Sequence, residues 1–197
     1  MTDKVKSQTP TGFHDKAQGQ REARHPGLQV TLKSNPNGVE YFRKSLMPQS
    51  LAQIYIHLAW STKNRAPFLK DPTIRGEMHA YLAGACKNMD CPSLKVGGVE
   101  DHVHVACRLS RKISVADLIR RLKKESSKWI KERDPSLRDF YWQEGYGAFS
   151  VSPSHVEALQ NYIANQEEHH RKEDFKEEFR RLLKKYKVEY NERYVWD

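Results

Sequence analysis

The sequence predicts an α+β fold of the ferredoxin-like, split βαβ type. In this fold a four-stranded antiparallel sheet has helices packed on one face, and further C-terminal helices are expected here. Short alternating apolar runs mark four strands, and apolar residues at helical spacing mark the helices between them. The elements follow the order strand, helix, strand, strand, helix, strand, which is the order of this fold. Because the fold hosts many activities, function has to be inferred from individual residues.

The folded part of the chain begins with a strand and a helix. Residues 53–62 alternate apolar and polar side chains, which is typical of a strand whose two faces differ. Asp71 followed by Pro72 is a typical helix start, because aspartate caps the free N–H groups and proline fits the first helical position. We therefore expect a helix from this point to about residue 88.

A hairpin of two strands comes next, at residues 93–99 and 102–109. The gap between these strands is short, so they are expected to pair in the antiparallel direction. Gly97 and Gly98 interrupt the first of them, which predicts a bulge or a tight turn at that point.

The second half of the chain gives another helix and strand and then adds helices. Ser114 and Asp117 form a variant capping box, with aspartate where glutamate is usual, and mark the start of the second helix. The fourth strand is predicted at 142–151, followed by a long helix at 154–171 and a charged helix at 174–187. The outward face of the second helix is predicted to be almost entirely basic, with Arg120, Arg121, Lys123, Lys124, Lys128 and Lys131. A charged face is usually only solvated, but a face of one sign favours contact with phosphates.

Composition narrows the class of protein. The chain has 197 residues and a formal net charge of +9, which favours an anionic partner, most commonly nucleic acid. Three cysteines without a C-x-x-C pair argue against a disulfide scaffold or a thiolate zinc site and agree with a reducing cytosol. No run approaches the roughly 18 apolar residues that a membrane span needs, so no membrane association is expected.

The N-terminal quarter of the chain differs from the rest. Residues 1–49 are rich in Gln, Pro, Gly, Lys and Ser and show no apolar periodicity, so they are predicted to be a disordered extension. Met47 stands just before the first strong pattern, which makes it a candidate for the true start of translation. Residues 50–197 are then the folded domain.

Two short patterns carry the candidate chemistry. His102 and His104 lie two apart in a predicted strand, so both imidazoles lie on one face of the sheet. Tyr162 and Gln166 lie four apart in a predicted helix, so they share one helical face. Two imidazoles and an amide oxygen would make a loosely held metal site with open positions, suited to Mg²⁺ or Mn²⁺. Such an ion would polarise a phosphoryl oxygen beside the tyrosine nucleophile.

Each pattern also has a plain structural interpretation. A pair of histidines two apart in a strand is more often incidental, and a tyrosine on an amphipathic helix usually lies at the edge of the core. His169 and His170 could supply an extra ligand or proton carrier, or could simply lie on an exposed helix end. His57 could lie near the site or be buried in the core.

The combination resembles the single-tyrosine HUH transposases, which include the insertion-sequence and REP-associated tyrosine transposases. The HUH motif (histidine, bulky hydrophobic residue, histidine) corresponds to residues 102–104, and the Y-x-x-x-Q helix to residues 162–166. The resemblance runs from Met47 to the C-terminus. It implies metal-dependent cleavage and rejoining of single-stranded DNA, with Tyr162 forming a covalent 5′-phosphotyrosine and His102, His104 and Gln166 holding the metal.

The resemblance also implies partners and a location. Family members recognise hairpins at element ends and form homodimers, often with active sites shared between subunits, so a cytoplasmic, nucleoid-associated protein is expected. The residues predicted to contact DNA are Lys63, Arg65, Arg120, Arg121, Lys124 and Lys128. One alternative is a non-catalytic or domesticated protein of the same fold that binds single-stranded DNA or hairpins. A replication or conjugation initiator is a weaker alternative, because the chain is short and has no helicase-like P-loop.

Overall fold

The structure of the protein is a computed structural model that describes residues 51–196. The disordered extension predicted at residues 1–49 and the start proposed at Met47 lie outside the described residues. None of the helices in the described part of the chain is long and apolar enough to cross a membrane.

The strands form a single antiparallel sheet. Within residues 51–196 it has four strands: β1 (Tyr55–Ser61), β2 (Ser93–Gly98), β3 (His102–Arg108) and β4 (Gly147–Val151). They lie in the order β2-β3-β1-β4, and every neighbouring pair is antiparallel. This topology confirms the predicted split βαβ fold. The fourth strand is shorter than predicted, because Trp142 pairs with Thr62 only in an isolated bridge.

The described helices are α1 (Pro72–Asn88), α2 (Val115–Arg133), α3 (Val156–Ala164), α4 (Gln166–His169) and α5 (Phe175–Lys185). Both predicted N-caps are confirmed. The Asp71 carboxylate accepts from the N–H of Thr73 at 2.7 Å, and the Ser114 hydroxyl accepts from the N–H of Asp117 at 3.0 Å. These contacts satisfy N–H groups that have no partner inside the helix.

The prediction of one long helix at residues 154–171 is wrong in detail, because this segment is broken into shorter helices. It begins with a single 3₁₀ turn at Pro153–His155, and Asn165 then separates α3 from α4 with φ −100° and ψ 22°. The side-chain amide of Asn165 donates to the carbonyl of Asn161 at 2.9 Å. Such local bonds compete with a continuing helix. Gln166 is the first residue of α4 and is buried, whereas Glu167 and Glu168 after it are exposed.

One face of the sheet is an apolar core. Alternate residues of β1 and β3 point to this face and pack against the inner sides of α1 and α2. The core residues from these four elements include Leu58, Trp60, Val103, Val105, Met78, Leu82, Leu118 and Leu122. The two helices between the strands of the split βαβ unit therefore cover one face, as predicted.

The second face is covered by the C-terminal helices. Phe149 of β4 and Ala59 of β1 pack against Phe175, Phe179 and Leu182 of α5. The alternation along β1 and β3 turns the side chains of His57, His102 and His104 toward this face, and all three are buried. The candidate chemistry is thus enclosed between the sheet and the last three helices.

Gly97 and Gly98 of β2 both lie where a side chain would not fit, Gly97 against α3 and Gly98 against β3. A Cβ atom on Gly97 would collide with the backbone carbonyl of Ile163 in α3, so only glycine allows this approach. Gly98 has φ +145°, which favours glycine. Of the bulge or tight turn predicted at these glycines, the bulge is wrong, because the irregularity in the ladder lies between Ser93 and Lys95, whereas a short turn does follow Gly98 and leads into β3.

Lys123 differs from its predicted outward position on α2. Its ammonium is half-buried and donates to the carbonyl oxygens of Gln143, Glu144 and Gly145 at 2.7, 3.0 and 2.7 Å. Lys123 therefore anchors the loop that leads into β4, and we assign it no role in DNA contact.

Candidate active site

The two histidines of β3 are held in fixed orientations by partners on one ring nitrogen. His102 Nδ1 lies 2.7 Å from the Asp101 carboxylate, and His104 Nδ1 lies 2.9 Å from Nε2 of His57. Both Nε2 atoms are left to face Glu178, at 3.7 Å from His102 and 3.3 Å from His104. In metal-binding histidines, one ring nitrogen is typically hydrogen-bonded to a neighbouring group while the other faces the metal.

Tyr162 and Gln166 reach this centre from the opposite side. Gln166 Oε1 lies 3.2 Å from His102 Nε2, and the ring centroid of Tyr162 lies 5.8 Å from that of His104. They stand on either side of the helix break at Asn165 and still converge on the same buried space. The structure therefore brings together the four residues that the two sequence patterns selected.

Glu178 of α5 lies at the centre of the group and was missed by the sequence analysis. Its side chain is fully buried. Its carboxylate accepts from the Tyr162 hydroxyl in a very short hydrogen bond and from the Gln166 amide at 3.1 Å. One sequence signal could have found it, because Glu178 interrupts an apolar helical stripe formed by Phe175, Phe179, Leu182 and Leu183. A carboxylate on such a stripe is buried by the fold.

The remaining histidines divide between the site and its surroundings. His170 joins the centre, with Nε2 at 3.2 Å from Glu178 Oε2 and 3.0 Å from Gln166 Oε1. His169 lies at the edge of the site. Its Nε2 atom is 2.9 Å from Glu173, 3.1 Å from Arg181 and 3.7 Å from Glu178 Oε1, and its ring centroid lies 5.4 Å from that of Tyr162. His57 is both buried and in contact with the site, through His104.

Burial and neighbouring groups shift the pKa values of these side chains. Burial lowers the pKa of His104, and burial followed by the effect of His104 lowers the pKa of His57 to about 3, so the His57 ring is neutral near pH 7. Burial alone would raise the pKa of Glu178, but the surrounding imidazoles outweigh it and hold that pKa well below its usual range. Burial and then the charge of Glu178 raise the pKa of Tyr162 above its ordinary value. The resting tyrosine is a protonated phenol beside a carboxylate.

The donor atoms of the group suit a divalent cation. Among the described residues, His102, His104, His170 and Glu178 each offer one ligand atom, and these atoms lie within 4.8 Å of one another. Neutral imidazole, carboxylate and amide oxygens are all ligands of divalent metals in proteins. The residues present therefore fit the metal that the sequence pattern implies.

A cavity of about 490 Å³ opens beside the Tyr162 ring. It lies between β4, α3 and α5, and basic side chains of α5 contribute to its wall. Its lining includes His57, Ser150, Ser152, Tyr162, Arg181 and Lys185. Tyr162 therefore forms part of the wall of a cavity that also contains two basic side chains.

The residues predicted to contact DNA lie in two other places. Arg120, Arg121, Lys124 and Lys128 are exposed on α2, on the opposite side of the sheet from Tyr162. Lys63 and Arg65 lie in a 3₁₀ turn that follows β1, next to the loop that carries Asp101, whose carbonyl accepts from the N–H of Thr62 at 2.7 Å. The structure brings none of the four α2 residues to the tyrosine.

Comparisons with known proteins agree with this architecture. Among solved structures, the chain is similar to a candidate transposase from Deinococcus radiodurans R1, with 22% identity over 61% of this chain and 95% of that one and a TM-score of 0.50. It also matches a REP-associated tyrosine transposase bound to a REP hairpin, with 12% identity over 64% of this chain and 74% of that one and a TM-score of 0.47. No curated protein matches the chain.

The model of one protein family, described as "Transposase IS200 like", matches residues 50–166. The match includes the histidine pair of β3, Tyr162 and Gln166, and it ends before α5 begins. Since the match covers more than half of the sequence, the chain belongs to the IS200-like transposase family.

Proposed function

We propose that this transposase cleaves and rejoins single-stranded DNA with Tyr162 as the nucleophile, and that residues 50–197 form the domain that does so. The observation that carries the proposal is the convergence of Tyr162 with His102 and His104 in one buried cluster beside an open cavity. A tyrosine placed only for packing would not need a buried carboxylate bonded to its hydroxyl and an imidazole ring beside its own ring.

The proposed step exchanges one ester of phosphate for another. The Tyr162 oxygen attacks the phosphorus, the bond from phosphorus to the 3′ oxygen breaks, and a 5′-phosphotyrosine forms. The phenol proton leaves Tyr162, and the departing 3′ oxygen gains a proton and becomes a free hydroxyl. A 3′ hydroxyl on another strand can reverse the step, so no external energy source is required.

The raised pKa of Tyr162 means that the phenol does not ionise by itself near pH 7. We propose that His102, His104 and Gln166 hold Mg²⁺ or Mn²⁺, which would polarise the phosphoryl oxygen and help to align the phosphate. Asp101 and His57 keep the two imidazoles oriented toward this position. Arg181 and Lys185 line the cavity on the tyrosine side, where they would attract the DNA backbone.

The proposed substrate is a single-stranded DNA that folds into a hairpin, as the sequence resemblance implies. The net charge of +9, the exposed basic residues Lys63, Arg120, Arg121, Lys124 and Lys128, and the half-buried Arg65 support contact with its backbone. An enzyme acting on such DNA would work in the cytoplasm with the nucleoid.

Catalysis within one chain is favoured over a site shared between subunits. Tyr162 and the histidine pair come together in a single chain, so a second copy is not required to complete the cluster. A homodimer stays a prediction.

Mixing Tyr162→Phe protein with His104→Ala protein tests whether the site lies within one chain. Activity would be recovered only if the tyrosine of one chain serves the histidines of another.

The proposal is tested with labelled hairpin oligonucleotides from the DNA that flanks the gene. Wild-type protein with Mn²⁺ or Mg²⁺ should give a covalent protein–DNA adduct on a denaturing gel, and Tyr162→Phe or added EDTA should abolish it. Tyr141→Phe is a matched control, because Tyr141 is 58% exposed and contacts Lys131 of α2. Salt-sensitive binding without any adduct would instead support a non-catalytic hairpin-binding protein.

A further inference from the structure

We propose that Glu178 of α5 is a further metal ligand, through its Oε2 atom, in addition to the histidines and the glutamine. This inference rests on the metal site proposed above. Glu178 lies beyond residue 166, outside the part of the chain that matches the family model. It is therefore a contribution of the C-terminal helices of this chain.

Two of the three distances around Glu178 Oε2 are those expected between atoms that share one ion, and the third is slightly longer. This oxygen lies 3.2 Å from His170 Nε2, 3.3 Å from His104 Nε2 and 3.7 Å from His102 Nε2. Ligand atoms bound at about 2.1 Å from an ion, in tetrahedral or octahedral positions, are about 3.0 to 3.4 Å from their neighbours. Glu178 is also held rigidly, because it is fully buried on a packed helix. The carboxylate can therefore serve as a ligand after only a small adjustment.

The atoms around His102 Nε2 also favour a cation at this point. The Asp101 carboxylate lies 2.7 Å from His102 Nδ1 and fixes the orientation of the ring. His102 Nε2 then faces two oxygen atoms, Gln166 Oε1 at 3.2 Å and Glu178 Oε2 at 3.7 Å. Oxygen and nitrogen atoms that converge in a buried space are stabilised by a cation among them, and a divalent metal would be such a cation.

The two oxygens of Glu178 have separate surroundings. Oε2 faces the imidazole nitrogens, whereas Oε1 accepts from the Tyr162 hydroxyl and from the Gln166 amide. One carboxylate can therefore ligate through Oε2 while Oε1 keeps its bond to the tyrosine. This division is what links the metal position to the nucleophile.

The enlarged ligand set has a chemical consequence. Imidazoles suit transition metals and oxygen donors suit Mg²⁺ and Mn²⁺, so a site with both types of donor favours Mn²⁺ over Mg²⁺. A buried carboxylate should also raise the affinity above that of two histidines and an amide alone. The probe for the test is accordingly Mn²⁺ by itself.

The experiment measures Mn²⁺ binding to the full-length protein without DNA, after removal of metal with EDTA and dialysis. Isothermal titration and the electron paramagnetic resonance signal of free Mn²⁺ both report the dissociation constant. We expect Glu178→Gln to weaken binding by about 10- to 100-fold, at least as much as the loss of a group that only orients a ligand. Glu177→Gln is the matched control, because Glu177 is exposed on the same helix, and it should bind as wild type does.

Two outcomes separate this inference from the proposed metal site. If Glu178→Gln binds Mn²⁺ as tightly as wild type, or more tightly, Glu178 is only an ion-pair partner of the histidines and the inference is wrong. If the double variant His102→Ala, His104→Ala also binds like wild type, the metal site itself is wrong. Loss in the histidine variant with no loss in Glu178→Gln would reject Glu178 alone.

A second variant covers the case in which Glu178→Gln does not fold, which circular dichroism would reveal. Glu178→Asp keeps the carboxylate on a shorter side chain. At saturating Co²⁺, its visible absorption bands should shift from those of wild type, because a ligand has moved or been lost. Bands identical to those of wild type would contradict ligation by Glu178, whatever the effect on stability.

Discussion

The two faces of the sheet are built from the same strands, but only one of them buries a polar cluster beside its apolar residues. Along β1, Leu58 and Trp60 point to the apolar core, whereas His57 and Ala59, which alternate with them, point to the C-terminal helices. The first face contains almost only hydrocarbon, packed against α1 and α2. The second encloses buried imidazoles, an amide and the Glu178 carboxylate.

This difference suggests that one face mainly stabilises the fold and the other carries the candidate chemistry. Apolar burial stabilises a fold by about 25 cal/mol per Å² of apolar surface, without precise geometry. Buried polar groups cost free energy unless every one of them is paired, and they then form a rigid network. We infer that the face covered by α1 and α2 provides most of the stability, and that this stability offsets the cost of the polar cluster on the other side.

The largest expected effect is on the polar face. His104→Ala removes one of the imidazoles that face Glu178, so covalent adduct formation should fall by about 100-fold or more, while hairpin binding is retained. Gel analysis of adducts at saturating oligonucleotide, beside a binding assay, gives both values. An adduct yield equal to that of wild type would mean that chemistry does not depend on this face.

A matched pair of leucines compares the faces directly. Leu122→Ala, in the apolar core, should lower the free energy of unfolding by about 2 to 5 kcal/mol and leave the cleavage rate of the folded protein unchanged. Leu182→Ala should lower both, because Leu182 lies on α5 with Glu178 and lines the cavity beside Tyr162. Urea unfolding and single-turnover cleavage measure the two effects. An equal loss of cleavage rate in both variants would contradict the inference that only the face covered by the C-terminal helices affects catalysis.

His57 tests whether orientation within the polar face matters. His57→Phe fills a similar space but cannot bond to His104 Nδ1, so Mn²⁺ affinity should fall by about 10- to 100-fold. His57→Gln can still offer a polar atom to His104 and should recover most of that affinity. Titration with Mn²⁺ distinguishes the two. If both variants bind alike, His57 serves only to fill space.

The smallest effect is expected on the outer side of α2. Reversing the charge in a Lys124→Glu, Lys128→Glu variant should weaken hairpin binding. It should also reduce the slope of the logarithm of the binding constant against the logarithm of the salt concentration, by about 0.7 for each lost phosphate contact. Adduct yield at saturating DNA should not change, because α2 lies across the sheet from Tyr162. Fluorescence anisotropy at several salt concentrations measures the slope, with Lys87→Glu on α1 as the control. A slope unchanged from wild type would remove α2 from the DNA-binding surface.

Sequence patterns predicted the elements and much of the site. The caps at Asp71 and Ser114, the split βαβ order and the shared face of His102 and His104 follow from short, regular spacings, and the structure confirms each. The convergence of Tyr162 and Gln166 with the histidines is also observed, although their catalytic and ligand roles stay proposals. These features depend on local periodicity, and a period of two or of 3.6 residues is visible in the chain itself.

Only the tertiary structure decided which further side chains reach the centre. Glu178, His170 and His57 belong to separate elements, and although the place of Glu178 on an apolar stripe of α5 predicts that it is buried, no spacing shows that the three side chains meet. The periodicity also did not reveal the helix break at Asn165, just before the buried Gln166. The sequence therefore determined the histidine pair and the tyrosine helix. The carboxylate at their centre was decided by the packing of α5 on the sheet, because contacts between distant segments leave no regular spacing along the chain.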